Sequence, residues 1–520
     1  MLPVVEIETT GNVNRRDSRD KLKKGDVVWR ENFLVYGIGD SKTNKKHPGS
    51  DRYNGTAVTG TFTSGYRYYS GALAKTYAFC DGDKYLKFLD DNGNISDILL
   101  QPSNPNDVAY PVWEEMRVSL NNLLLFADGF NGIYTYDGNI GNTFTKTAAT
   151  LNPVDMLSFL DRLFVIEEYS DVLSYGANVT NGGSPTDFTG TDAGEITVGP
   201  KRGSKLMRAI YFMGTLFLFK DDSIWVLEGN TPETFQLRQV VSNIGLAARR
   251  GIAVGRNAIY FLGSDFEVYQ FQGTQASLKL LTYNIALSGN RSKDLVEIIN
   301  KYRMSQVSAT YHDYLFRLSF VETGETVAKM EYIFNTTNET DGFTRGNNVS
   351  CYFQYDKLPD RGQLVTGRSD AGYLMHQYRG LNWDNQADTP TMPYKLTTAA
   401  IRPSKSSLEN VRFKRAWADF QILGAEALDV DYYLDTRIAK SDRKTIQLAT
   451  QGETKGMTNF LRTNAQTNIF SRAILHWENA KGQSIYFEID KDRNNVDLSI
   501  GSFYTEVIQK NRKRSERVGV

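Results

Sequence analysis

Reactive side chains are scarce in this chain. Its 520 residues include two cysteines, Cys80 and Cys351, and four histidines, His47, His312, His376 and His476. Two thiols cannot build a disulfide framework, and so few imidazoles leave little material for metal sites or nucleophilic triads. A surplus of either charge is also missing, because 60 Lys plus Arg face 60 Asp plus Glu. Gripping DNA through its phosphates needs a cationic excess to release counterions, which argues against a dedicated nucleic-acid binder. No apolar run approaches the roughly 18 residues of a membrane-spanning helix, and the mean hydropathy is −0.42. Met1 to Thr10 is mixed, and Arg15 to Lys24 is charged where a signal peptide would be apolar. Folding in a reducing compartment is the expectation.

Proline is low at 13, whereas the chain has 43 Gly, 29 Tyr and 28 Phe. That balance suits short strands joined by glycine turns, so the expected class is all-β. The Asn-x-Ser/Thr sequons at Asn54, Asn94, Asn178, Asn335 and Asn338 then read as turn chemistry, because Asn favours positive φ and local hydrogen bonds.

One hairpin pattern recurs: an apolar run, a turn of Asp, Gly or Ser, and a run carrying an aromatic. Copies begin at Tyr77, Leu123, Leu163, Leu216 and Ile259, with weaker ones at Leu315 and Leu364, at intervals of 40 to 56 residues. A period of about 48 residues matches the four-stranded blade of a β-propeller, with each hairpin forming the middle of its blade. The first run is almost continuously apolar, as a strand covered on both faces must be, and the second alternates. Seven hairpins predict about seven blades; six follow if the Tyr77 or Leu364 copy belongs to a flanking domain.

Residues 1–62 form a polar amino-terminal segment, set apart as an interaction region, and residues 63–398 form the propeller. Longer alternating segments from 399 to 509 predict a carboxy-terminal antiparallel β-sandwich. The chain ends in a basic tail, 510–520. Ser292 to Met304 is the best helix, a connector between blades five and six.

A search for chemistry finds no G-x-S-x-G, H-E-x-x-H, Walker A or C-x-x-C pattern. The acidic pairs Glu114-Glu115, Glu167-Glu168 and Asp221-Asp222 invite a glycosidase reading, but neighbours on a strand point to opposite faces. Two of the pairs fall in the repeat's turn, where acids bond the backbone. Arg368 to Met375 approaches a sialidase-type Asp box, matching it at Asp370 and Gly372 alone. Asp490 to Asp497 lacks the glycine and the glutamate of a calcium loop and reads as a turn. No catalytic, cofactor or metal residue is expected. The candidate contacts to phosphate or an acidic partner are Lys510, Arg512, Lys513, Arg514 and Arg517 in the tail, with further cations at Arg15 to Lys24 and at Arg412, Lys414 and Arg415.

The stretch Val241 to Thr274 resembles the β-propeller tail nozzle or tail-hub proteins of short-tailed bacteriophages, the family that includes packaged-DNA stabilisation proteins. Gly245, Phe261-Leu262-Gly263, Asp265, Tyr269 and Gly273 carry the likeness, and Phe266 departs where a glycine is expected. The resemblance implies a virion tail protein made in the host cytoplasm, a homohexameric ring below the portal and adaptor. That ring would hold double-stranded DNA without sequence-specific binding and release it at infection, with no catalysis and no cofactor. A near-neutral chain suits a conduit, since each fixed phosphate adds grip. Two rivals are a glycan-binding or glycan-cleaving propeller, which needs carboxylates converging on the ring axis, and a monomeric scaffold.

Overall fold

A computed structural model describes residues 4–508 apart from position 12, 14–21, 23–25, 37–41, 71–72, 82–85, 91, 99–109, 119–120, 139–143, 201–202, 283–294, 356–362, 379–382, 384–391, 401, 404–410, 424–426, 436–441, 448–470, 477–480 and 494–496. The fold is all-β: a seven-bladed propeller joined to a β-sandwich.

Blade 1 comprises Phe62–Ser70, Leu73–Cys80, Leu86–Leu89 and Ile95–Ile98, and blade 2 Val112–Val118, Asn121–Ala127, Ile133–Tyr136 and Thr145–Lys146. Blade 3 is Pro153–Phe159, Arg162–Glu167, Val172–Tyr175 and Gly194–Thr197; blade 4 is Leu206–Phe212, Thr215–Lys220, Ile224–Glu228 and Gln236–Val241. Blade 5 holds Ile252–Val254, Ile259–Leu262, Val268–Phe271 and Lys279–Leu280. Blade 6 begins with Ser308–His312, Leu315–Val321, Ala328–Asn335 and Thr340–Arg345. Val349–Tyr355, Gln363–Arg368 and Leu374–Gln377 make blade 7, whose fourth strand is Ser50–Arg52 from the other end of the chain. That exchange closes the ring, since the last blade cannot complete itself without it.

Every predicted hairpin is the second and third strand of a blade. The second strands are apolar because each packs on two neighbours: Phe217 and Phe219 face blade 5 while Leu216 and Leu218 face blade 3. Burying such a side chain contributes about 1.5–3 kcal/mol.

The amino-terminal segment is not separate from the domains that follow. Val4–Ile7, Phe33–Tyr36 and Thr43–Lys46 join Asp497–Ile508, Val411–Leu423 and Ser471–His476 in one sandwich sheet. Val27–Glu31 lies parallel to the outer strand of blade 6 and antiparallel to Met392–Thr398, so blade 6 continues through Ile485–Arg493 and Ala427–Leu434 to Asp442–Gln447 as one nine-stranded sheet. The reason is legible afterwards: Val27, Phe33, Leu34 and Val35 are fully buried, short apolar islands in a polar stretch. Between the sheets Phe487 stacks on Phe503 at 5.1 Å. Met392–Thr398 therefore belongs to the sandwich sheet and not to a blade.

Of the predicted helix over 292–304, positions 292–294 lie outside the described residues, and the remainder holds one short turn, Leu295–Ile298, followed by a 3-10 segment, Lys301–Gln306. Asn300 caps that segment by accepting from the Tyr302 amide at 3.1 Å. Leu295, Ile298 and Ile299 pack inward onto blades 5 and 6, the two blades this segment connects. No helix among the described residues is long and apolar enough to cross a membrane.

Candidate functional site

The repeat's turn acids bond the backbone. Thr61 donates to Asp81 at 2.5 Å, Asn152 to Glu167 at 2.9 Å and Lys205 to Asp221 at 3.1 Å, each from backbone N–H. Each acid ends or directly follows its blade's second strand and ties that turn to the residues leading into the same blade's first strand. Asp128 instead serves its own turn, accepting from Phe130 at 2.9 Å and Asn131 at 2.8 Å. These bonds organise the face of the ring from which the innermost strands start.

Acids on the innermost strands link one blade to the next. Glu114 of blade 2 accepts from the Ser158 amide of blade 3 at 2.9 Å, and Asp155 of blade 3 from the Ala209 amide of blade 4 at 2.8 Å. Burial, with Asp155 and Glu115 nearby, raises the Glu114 carboxyl to about 8, so it is protonated at neutral pH. Burial also raises Asp155, against the pull of Arg208 at 3.7 Å.

At the axis on this face lies a cavity of about 650 Å³, lined by Tyr110, Phe130, Tyr169 and four arginines, Arg208, Arg249, Arg250 and Arg303. Arg250 enters from the segment before blade 5 and donates to Thr63 O of blade 1 at 2.8 Å and to Ser350 O of blade 7 at 2.6 Å. Its own carbonyl accepts from Ala309 N of blade 6 at 2.8 Å, and its guanidinium lies 4.8 Å from the Tyr110 ring centre. One side chain that lines the cavity thus ties blades 1 and 7 together. Arg249 donates to Met207 O at 3.0 Å and to Glu168 at 2.8 Å. Arg208 donates to Arg249 O at 3.2 Å, and its buried Nε has no hydrogen-bond partner among the described residues.

Sequence reasoning passed over these arginines. The signal was the adjacent pair Arg249-Arg250 inside a stretch of Ala and Gly, where cations are not needed for solubility. The tail candidates Lys510, Arg512, Lys513, Arg514 and Arg517 lie outside the described residues, as do Arg15, Arg16, Arg19, Lys21, Lys23 and Lys24. Arg412, Lys414 and Arg415 fall on the sandwich strand Val411–Leu423. Asp370 of the partial Asp box pairs with Arg368 at 2.6 Å and accepts from Asn348 at 2.7 Å. Asp490 and Asp497 end up on two strands, Ile485–Arg493 and Asp497–Ile508. No group of three metal-ligating side chains occurs among the described residues.

Three of the histidines pack against aromatic rings. His47 lies 5.7 Å from the Tyr378 ring and 5.0 Å from the Trp383 ring, and burial holds it at about 3, thus neutral. His312 also stacks on Tyr378, at 5.8 Å. His376 is buried against Tyr53 at 4.8 Å. His476 ends the strand Ser471–His476.

The residues of the phage-like phrase are explained by blade 5. A Cβ on Gly245 would stand 2.3 Å from Lys220 O in blade 4, and one on Gly263 would stand 2.6 Å from the Tyr269 ring. Tyr269 donates to Asp265 at 2.5 Å. Phe266, the departure, adopts φ +66°, the left-handed conformation that glycine takes without cost, and Lys301 sits 4.9 Å over its ring.

No family model matches the chain, and no curated protein does. Among solved structures it is similar to a streptogramin B lyase at 13% identity and TM-score 0.39, over 64% of this chain and 97% of that one. It is similar to BamB from Moraxella catarrhalis at 12% identity and TM-score 0.37, over 68% and 95%. BBS1N in complex with ARL6DN aligns at 10% identity and TM-score 0.38, over 67% and 97%. Likenesses at this level carry no functional argument, and the propeller is read from the strand order itself.

Proposed function

We propose that this protein is a structural, non-catalytic building block of a bacteriophage tail, a nozzle or hub subunit that assembles as a hexameric ring around packaged DNA beneath the portal and adaptor. The observation that supports this most is the nine-stranded sheet that runs from blade 6 into the sandwich. A hinge between the two parts would have to break that ladder, so the subunit behaves as a rigid bracket, the shape that head-to-tail rings need. Arg250 and Tyr110 occupy the bore of the single propeller. The DNA path in this reading is therefore the space enclosed by six copies, and the balanced charge lets duplex slide through it.

The glycan-cleaving rival asks for two free carboxylates converging on the axis. Glu114 and Asp155 come near it, yet each is engaged by the next blade's backbone. Native mass spectrometry and negative-stain microscopy of the purified chain test the proposal. A six-membered ring is expected, alone or on addition of the tail proteins above it; a monomer at high concentration, with no ring in micrographs of the virion, overturns it.

A further inference from the structure

The axial cavity has more donors than acceptors. Its carboxylates are spent, Asp128 on its own turn and Glu168 on Arg249. Its guanidinium groups are spent only in part: Arg208 faces Asp155 through Nε at 3.7 Å and gives one terminal nitrogen to Arg249 O, Arg249 uses Nε and one terminal nitrogen, and the Arg303 side chain forms no hydrogen bond or ion pair among the described residues. Three partly free guanidinium forks facing one pocket suit an oxyanion, which they can hold by charge-assisted, paired hydrogen bonds.

The rim adds flat apolar surface. Tyr169 is 80% exposed and Phe130 is 39% exposed, and both line the cavity. Tyr169 also takes φ +60°, a conformation that costs a bulky residue energy and commonly marks a functional position. At about 650 Å³ the cavity has the volume of a small-molecule site.

We infer that the axial mouth binds a small anionic saccharide: Arg208, Arg249 and Arg303 hold its carboxylate or phosphate, and Tyr169 and Phe130 cover its ring. This site stands independently of the tail reading, since a monomer would carry it too. Isothermal titration of the full chain with digalacturonate, its neutral digalactose counterpart, glucose 6-phosphate and inorganic phosphate tests it. At least one charged sugar is expected to bind about tenfold or more tighter than digalactose, with Arg303→Gln and Arg249→Gln each weakening it about tenfold at unchanged melting temperature. Preference between the carboxylate and the phosphate sugar identifies the source of the anion. The inference is overturned if no charged sugar binds at millimolar concentration, if inorganic phosphate binds as tightly as the sugars, or if Arg303→Gln leaves affinity unchanged. Should Arg249→Gln unfold the chain, the exposed Arg303 still decides.

Discussion

Two seams of the ring are built in opposite ways. Between blades 4 and 5 the contact is apolar: Phe219 meets Phe261 edge-on at 5.3 Å, with Ile224, Val226, Ile259 and Phe271 filling in. Between blades 6 and 7 the centre is an ion pair, Arg317 and Glu331 at 2.8 Å, both essentially inaccessible to water. Around it Tyr352 donates to Glu331 at 2.6 Å, Asn347 and Thr344 each at 2.8 Å, and Arg317 donates to Tyr378 at 3.1 Å. Apolar seams tolerate small shifts because dispersion has no direction, whereas a buried polar cluster is satisfied in one register alone. The polar seam lies where register matters most, between the blade that runs on into the sandwich and the blade closed by Ser50–Arg52.

Glu331→Ala should have the largest effect, since it leaves a buried guanidinium unpaired; about 3–5 kcal/mol of stability is expected to be lost in urea titration. Replacing both partners, Arg317→Met with Glu331→Leu, should recover most of it. A double variant as unstable as the single one would show that the seam depends on charge and not on filling. In the apolar seam, Ile259→Ala should cost about 2–5 kcal/mol, with no change in salt or pH dependence.

Acid and base should separate seams as well. Burial opposes ionisation of Glu331, but Arg317 and the surrounding donors override it and hold the carboxyl below its ordinary value. That contribution is complete above the unfolded pKa and is lost as pH falls through the depressed one. His47 at the same seam adds to this: the unfolded chain takes up its proton near 6.5 and the folded one at about 3, so stability drops across that interval on acidification. Glu114, between blades 2 and 3, has the opposite sign. The folded chain keeps its proton up to about 8 while the unfolded chain releases it near 4.5, so stability falls as pH rises through that window. Melting curves from pH 4 to 9 should show both flanks; Glu114→Gln should remove the alkaline one, on the order of a few kcal/mol, and His47→Phe should reduce the acid one. An alkaline flank that survives Glu114→Gln would place its cause elsewhere.

The smallest effect belongs to the turn of blade 5. Phe266→Gly relieves a left-handed phenylalanine worth about 1–2 kcal/mol but removes its packing under Lys301. A net change within about 1 kcal/mol by thermal melting is expected. A loss of several would mean that the side chain contributes far more than its backbone strain costs.

Blade count and strand identity were legible because a strand buried on both faces must be apolar throughout, and Leu216 to Phe219 or Leu315 to Val321 say so by composition. The turn acids were legible for the same local reason. Which residues meet at the axis was not: Arg250, Thr63 and Ser350 are brought together by ring closure, and no local pattern encodes it. Nor could polarity alone tell that residues 4–52 weave through both domains, since each strand there is four or five residues, or three at Ser50–Arg52, amid charged segments. Periodicity is a property of neighbours along the chain, so sequence alone determined the repeating blade. The arginine cup, the polar seam and the shared sheet depend on contacts between different blades or domains, from Arg317–Tyr378 across one seam to Val27–Thr398 across the chain, and only the closed tertiary structure decided them.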